Sequence, residues 1–496
     1  MTGRVSAPLG IWRSRNTRTR GDHAYLAYLI VMVTLVAIAP LVRAIVVSMT
    51  GAEGIAILTS PEAPSVTMLA VSGMWASALL LGRVRGPALR PPFVTHALAS
   101  SDLPRATSFR GPLLRSGTMV VALTTVVGVL IGASLVSTGY STPGDAGLFV
   151  LASTCVGVIS SLAWLVGQAM PRTAALFSPI VFALGAVTST VAEIQPFTPW
   201  GWVGLAYPVG AAPGPLAPLL AVTAAAVAAA PALMNRLSIT PLAAQAARWE
   251  AATSYASGME LAAAATVYQA APKVGRHLRA VRPALRSPVV FLLRDAVGAA
   301  RTPVRLAAGA LALAAAAALF TLSFVSETPD WALSAVAGVI LFAGLGPFTD
   351  GIRHAASVAS DLPLYGISDA RLLTYHALFP VVTTMIVLVV VTVICSLLIG
   401  HAAPAILGSL PLGMFAVLAR IGNALKGPLP PALLTPIPTP MGDLGAAARL
   451  TWAMDGVLLT ALAGASAALV FQSPVLLLAV GVALTGLTIH RWRHRV

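Results

Sequence analysis

The stretch Ala377–Gly400, ALFPVVTTMIVLVVVTVICSLLIG, decides the fold class. It holds no Asp, Glu, Lys or Arg, and as a helix rising 1.5 Å per residue it reaches about 36 Å, enough to cross the roughly 30 Å hydrocarbon core of a bilayer. The rest of the chain reads the same way. Of 496 residues 57% are hydrophobic and 9% charged, with a mean hydropathy of +0.86, whereas soluble domains carry about 25% charged residues. Soluble globular, disordered, collagen-like and coiled-coil classes are excluded, because none tolerates so many long uncharged runs. Working outward, further apolar runs lie at 25–48, 65–82, 117–138, 146–169, 173–192, 212–234, 306–326, 331–349, 402–421, 450–470 and 473–489. The expected fold is therefore all-α, a polytopic membrane protein of about 12 transmembrane helices.

The distribution of cations then sets the topology. An even number of spans puts both termini on one side, and Lys and Arg concentrate on the cytoplasmic face. With twelve spans, all of the 31 Lys and Arg except Arg43 fall on that face or at the span ends beside it. The outer loops hold Glu53, Glu62, Asp145, Glu193, Glu327 and Asp330. The net charge of +15 is thus a topology signal and a contact with anionic lipid, not a nucleic-acid footprint. Both termini are expected in the cytoplasm, in a multi-pass protein of the plasma (inner) membrane. Residues 1–24 are Arg-rich, but no small-residue cleavage site follows, so the first apolar run reads as a retained anchor. Cys155 and Cys395 fall inside spans, where they pack as small apolar residues.

The expected organisation is a basic segment 1–24, a first six-span half 25–234, a cytoplasmic helical linker 235–305, a second six-span half 306–489 and a basic tail 490–496. An internal repeat is visible in Ser101-Asp102-Leu103-Pro104 and Ser360-Asp361-Leu362-Pro363, offset by 259 residues (360 − 101). Leu113-Leu114 and Leu372-Leu373 follow at the same offset. Each tetrapeptide lies in the loop joining the second and third spans of its half, and six spans per half give both copies one orientation, hence two parallel six-helix repeats. In the linker, Ser287 and Pro288 predict an N-cap and first helical position. Val289, Leu292, Leu293, Ala296, Val297 and Ala300 then follow on one face, with Arg294, Asp295, Gly298 and Arg301 opposite, an amphipathic interfacial helix. Residues 1–24 occupy the matching place with Trp12 as an anchor, although their helical period is poor. Residues 241–271 predict one or two helices broken near Ser257-Gly258.

Chemistry is sparse. Of sixteen carboxylates, Asp22, Asp102, Glu250, Glu260, Asp295, Asp350, Asp361, Asp369 and Asp443 fall in cytoplasmic segments or span ends, and only Asp455 falls well inside a span. A carboxylate there is costly unless it pairs or works. Three roles stay open for it: pairing with a neighbouring span, a place on the substrate pathway, or proton coupling. Eight dispersed histidines form no His-Glu-x-x-His pair, no metal site is predicted, and no Gly-rich phosphate loop ends in Lys-Ser or Lys-Thr. No catalytic residue or bound cofactor is expected, and the isolated Glu53 and Glu62 are a weak sign of an enzyme. In the outer loop 193–214, Phe197, Trp200, Trp202 and Tyr207 read as an aromatic belt at headgroup depth.

Taken together, these parts resemble the permease subunits of type-2 ATP-binding cassette (ABC) exporters, above all the large Arg- and Ala-rich actinobacterial ones. Such permeases place an amphipathic helix before a six-span domain and dock a short coupling helix, between the second and third spans, on a separate ATPase. The resemblance implies two such domains fused in one chain, with Ser287–Arg301 as an interfacial helix and 99–115 and 360–375 as coupling loops. It implies contact with ABC ATPase subunits through Asp102, Leu103, Pro104 and Arg105 in the first loop and Asp361, Leu362, Pro363 and Leu364 in the second. ATP and Mg would be held by that partner. Asp102 and Asp361 would cap a helix start. The fused halves depart from each other at Gly427–Pro440, a Pro-rich insertion before the eleventh span. The alternative is a proton-coupled secondary transporter with Asp455 as the coupling carboxylate.

Overall fold

A computed structural model describes the chain except for residues 1, 16–18, 270, 271, 273, 276, 282–285, 325–329, 359–365, 400–402, 428, 436, 440, 441, 495 and 496. The described residues form helices and their connections, with one antiparallel pair of two-residue strands, β1 (Pro438–Thr439) and β2 (Gly442–Asp443). The chain divides into two compact units, Met1–Thr253 and Ser254–Val496. The division falls inside the segment read as a linker.

The first unit begins with α1 (Thr2–Arg15), α2 (Arg20–Val33), a π-helical stretch Thr34–Ile38 and α3 (Ala39–Thr50). Helix α4 (Ala52–Leu58) leads into α5 (Ala63–Val84). Two short helices, α6 (Pro92–Ala99) and α7 (Arg105–Ser108), join α5 to α8 (Arg110–Ser137). Next come α9 (Pro143–Ala169), α10 (Pro171–Thr190), α11 (Pro199–Leu205), α12 (Leu216–Asn235) and α13 (Ile239–Ser257). The second unit contains α14 (Leu261–Thr266), α15 (Ser287–Ala300), α16 (Pro303–Leu322), α17 (Asp330–Gly344), α18 (Asp350–Ser357) and α19 (Asp369–Ile399). It closes with α20 (Ala403–Ala424), α21 (Leu444–Ala468) and α22 (Pro474–Arg493). Proline opens α6, α9, α10, α11, α16 and α22, where its missing N–H costs nothing and its fixed φ suits the first turn. Break sites also follow the sequence: α13 ends at Ser257, as expected from Ser257-Gly258.

Ten helices, α5, α8, α9, α10, α12, α16, α19, α20, α21 and α22, are long and apolar enough to cross a membrane. Large apolar side chains such as Met119, Leu123, Leu397 and Val482 stand exposed on their surfaces, a costly arrangement in water and a neutral one against lipid tails. This is a polytopic membrane protein. Two of the twelve predicted spans are not uninterrupted helices of that length. The run at 25–48 is helical throughout, but Pro40 lacks an N–H and crowds the carbonyl four residues back, and the helix widens to a π turn just before it. The run at 331–349 gives α17, whose 15 residues reach about 22 Å, followed by a 3-10 turn Gly346–Phe348 around Pro347.

Packing inside the first unit centres on α9, which lies against α5, α8 and α12, while α5 also pairs with α10. The backbones of α5 and α9 touch: a Cβ on Gly82 would overlap the Trp164 carbonyl, and one on Gly167 the Leu79 carbonyl. Inside the second unit α20 lies against α19, α21 and α22, and α17 pairs with α21. There Gly464 sits against the Ser334 carbonyl and Gly338 against the Thr460 carbonyl, again with no room for a Cβ. Helix α16 packs on α17 and α19, whereas α3 touches only α4, α8 and the π turn to any extent.

The N-terminal segment forms α1, whose Val5, Leu9 and Trp12 pack onto the apolar cluster of Val94, Leu98 and Phe109, although apolar and polar side chains are poorly segregated around the helix, as expected. Two local expectations are corrected. While Phe197 stays exposed, Trp200 and Tyr207 are buried against protein and do not face outward as members of a belt. They close the end of the first bundle, edge-on to Trp75 at 6.1 Å and to Phe149 at 5.4 Å, with the Tyr207 hydroxyl donating to the Leu58 carbonyl at 2.8 Å. Burial pushes that phenol up to about 12. Finally, Ser287 is already helical and Arg286 holds the N-cap position of α15.

Candidate functional site

The first predicted coupling loop is a built structure. After α5 the chain turns through residues 85–91 into α6, passes Asp102, Leu103 and Pro104, and enters α8 through α7. Two buried amides hold its root. The Ala88 N–H donates to Gln168 Oε1 at 3.1 Å and the Gly86 N–H to Gln245 Oε1 at 3.3 Å. Gln168 Nε2 donates to Gln245 Oε1 at 3.0 Å, and Gln245 Nε2 to the Gly82 carbonyl at 3.1 Å. The loop's backbone groups, out of water here, thus find partners in two other helices. Gly86 is required, since a Cβ there would overlap the Gln168 side chain. Trp164 Nε1 donates to the Arg85 carbonyl at 2.6 Å, and the Arg85 guanidinium lies 3.3 Å above the Trp249 ring.

The tip is fastened as well. Arg105 Nε donates to the Leu237 carbonyl at 3.2 Å, the Ala106 N–H to Asn235 Oδ1 at 3.0 Å, and Arg90 Nε to the Ser108 carbonyl at 3.1 Å. Asp102 and Pro104 are exposed and Leu103 half-buried. Asp102 does not cap a helix: Pro104 occupies the N-cap position of α7 without a side-chain bond. In the second loop, Asp361, Leu362, Pro363 and Leu364 lie outside the described residues. What is described there is α18, at the place α6 holds in the first loop. Arg305 and Arg353 both pair with Asp350 at its start. Burial alone would raise the Asp350 carboxyl, but these two guanidinium groups outweigh it and hold it below its ordinary range.

Asp455 is not a lone acid in the membrane. Its Oδ1 accepts from Lys426 Nζ at 2.9 Å and its Oδ2 from Arg491, which also donates to the Gly422 carbonyl at 3.1 Å. Lys426 donates to the Trp452 carbonyl too and stands 4.1 Å above the Trp452 ring. The side chains are 7% (Lys426), 15% (Asp455) and 13% (Arg491) exposed. Burial pushes the Lys426 ammonium down, with Asp455 opposing. One carboxylate tying together the end of α20, the middle of α21 and the end of α22 is a fastening. Beside it opens a cavity of about 510 Å³, lined by Phe342, Arg420, Asn423, Lys426 and Trp452, with Glu260 and small apolar side chains of α14. Arg420 bonds the last carbonyls of α17, Phe342 at 2.8 Å and Ala343 at 3.4 Å, and stacks over the Phe342 ring at 3.8 Å.

A further cluster escaped the sequence reading. Asp295 was placed on the solvent face of the interfacial helix, yet its side chain is 8% exposed and Oδ2 meets Nδ1 of His376, itself 1% exposed, at 2.6 Å. Arg294 Nη1 faces His376 Nε2 at 3.4 Å. His354 lies 6.1 Å from His376 ring to ring, Phe291 5.0 Å, and a Cβ on Gly351 would overlap the Asp295 carboxylate. Helices α15, α18 and α19 therefore meet at one buried polar knot. The adjacent pair Arg294-Asp295 and the lone His376 were its only signal in the sequence. Among the described residues no group of three or more His, Cys, Asp or Glu is placed to hold a metal ion. Comparison with protein-family models, with characterised proteins and with solved structures gives no match.

Proposed function

We propose that this chain is the membrane permease of an ABC transporter of the type-2 exporter kind, moving a substrate with ATP hydrolysed by separate subunits. In this reading the broken helix 20–50 and the short α17 complete twelve spans, and the two units are parallel repeats in the plasma membrane with both termini in the cytoplasm. Several observations support the repeat. Helices α8 and α19 start 259 residues apart (369 − 110), the offset of the Ser-Asp-Leu-Pro pair. Within each unit the second span pairs with the fifth, the third with the fourth and the fourth with the sixth. In each unit the helix before the first span touches the first helix of the loop, α1 on α6 and α15 on α18.

The observation that carries the transport reading is the root of the first loop. A segment that transmits force from an ATPase must be joined stiffly to its spans. The Gln168–Gln245 pair ties the chain between α5 and α8 to α9 and α13, while Leu103 and Pro104 stay available at the tip. Asp455, held between Lys426 and Arg491, suits a structural tie better than a coupling carboxylate, which has to change its partners during transport.

The test is purification in mild detergent from cells of the natural host, comparing the natural chain with Leu103→Asp and Leu362→Asp. An ATPase should co-elute with the natural chain and be lost from the double variant, whose melting temperature stays unchanged. If none co-elutes, and uptake into vesicles follows a proton gradient with no ATP supplied, the chain is a secondary transporter instead.

A further inference from the structure

The cavity beside Lys426 has the form of a head-group site, and the permease reading makes no use of it. Arg420 and Lys426 line it, with Arg491 beside Lys426, and among the described residues Asp455 is the carboxylate that pairs with Lys426 and Arg491. Glu260, the other acid, is exposed at the mouth, where water and salt weaken its field. Among the side chains that line the cavity, two cations, Arg420 and Lys426, stand against one acid, Glu260, an excess of one positive charge. The Arg420 guanidinium bonds helix-end carbonyls and lies over an aromatic face, with Arg305, Arg353 and Asp350 within electrostatic reach.

The surroundings fit an amphiphile. Phe342, Trp452 and Val457 provide apolar wall on α17 and α21, and Leu450 and Leu458 of α21 face outward where lipid tails would lie. The cavity lies at the ends of α17, α20 and α22, the level at which Arg, Lys and Trp accumulate in membrane proteins. Its volume of about 510 Å³ is that of a small-molecule site. Basic pockets between spans on the cytoplasmic side hold anionic head groups through the same chemistry. We infer that this cavity binds the phosphodiester head group of an anionic membrane lipid, its phosphate facing Arg420 and Lys426 and its acyl chains leaving along α21.

The inference requires the membrane-spanning bundle alone. The full chain is placed in phosphatidylcholine nanodiscs doped with a photoactivatable phosphatidylglycerol, irradiated and mapped by peptide mass spectrometry. Adducts are expected on peptides covering 420–427 and 452–457. Asn423→Asp, a near-isosteric change that adds a negative charge to the wall, should lower their yield about tenfold, the equivalent of about 1.4 kcal/mol. Lys426→Gln removes the lining ammonium while Asp455 keeps Arg491 as its partner, and should also lower the yield; it serves if the first variant does not fold. Equal labelling by a photoactivatable phosphatidylethanolamine, displacement by inorganic phosphate, or labelling indifferent to both variants overturns the assignment.

Discussion

The two loop regions perform the same joining task with different chemistry. In the first unit, the turn after α5 is held by neutral amides, Gln168 and Gln245, reaching backbone groups from two other helices. In the second, α18 is held by charge: Asp350 between Arg305 and Arg353, and Gly351 pressed against the Asp295–His376 pair. Amide bonds are indifferent to pH and nearly so to salt, whereas ion pairs and imidazoles answer to both. If the two units are the repeats proposed, duplicated architecture does not imply duplicated response, and the second unit is the one that answers to pH and salt here.

The contrast can be broken most forcefully at Asp455. Asp455→Asn leaves Lys426 and Arg491 facing one another with no counter-charge, which costs about 3–5 kcal/mol for a buried pair. A large fall in melting temperature in detergent should result, with hydrogen exchange rising in peptides of α20–α22 and not in those of α8 and α9. Gln245→Leu is the neutral counterpart. It orphans the Gly86 N–H and the Gly82 carbonyl at a cost of about 1–3 kcal/mol each way such a group is stranded, and the loss, read by thermal denaturation, should be the same from mildly acidic to mildly alkaline solution.

Smaller effects sharpen the comparison. The Asp350 bracket is 45% exposed on the carboxylate side, so Asp350→Asn should cost at most about 1 kcal/mol and the loss should shrink as salt is added. Because its carboxyl is depressed below 3.8, the contribution is present above that pH and fades as pH falls through the folded value. His354 gives the smallest change. Burial first, then Arg294 and His376, hold it below its ordinary 6.5, with Asp295 opposing. The unfolded chain then binds the proton more readily, so stability is present above 6.5 and declines as pH drops below it. His354→Gln should flatten that decline, visible as a melting temperature that changes less between neutral and mildly acidic buffer.

Much of the architecture is legible in the sequence because run length and lipid thickness are matched by physics: uncharged stretches such as Ala377–Gly400 have one stable form in a bilayer. The helix starts at Pro143, Pro171 and Pro474 follow from local chemistry in the same way. What hydropathy does not encode is which face of an apolar helix meets protein and which meets lipid. Trp200 and Tyr207 look like interface anchors by residue type, and only the neighbouring rings of Trp75 and Phe149 turn them inward. The candidate site was less legible still. Gln168 and Gln245 are 77 residues apart and Asp295 and His376 81 apart, so no spacing rule could join them. Asp455 was singled out by its depth, while its partners Lys426 and Arg491 lie in sequence beyond the ends of other spans or near them.

Helices α8 and α19 begin seven and eight residues before the apolar runs that start at 117 and 377. Each therefore continues as helix about 10–12 Å ahead of its apolar run. A rod of 31 residues is about 46 Å long, so tilting α19 by some 5° about one end swings the other by about 4 Å. In the proposed permease that is the throw of a pushrod: a small rotation imposed at the loop would reach the far end of the helix as a shift about the width of a water molecule.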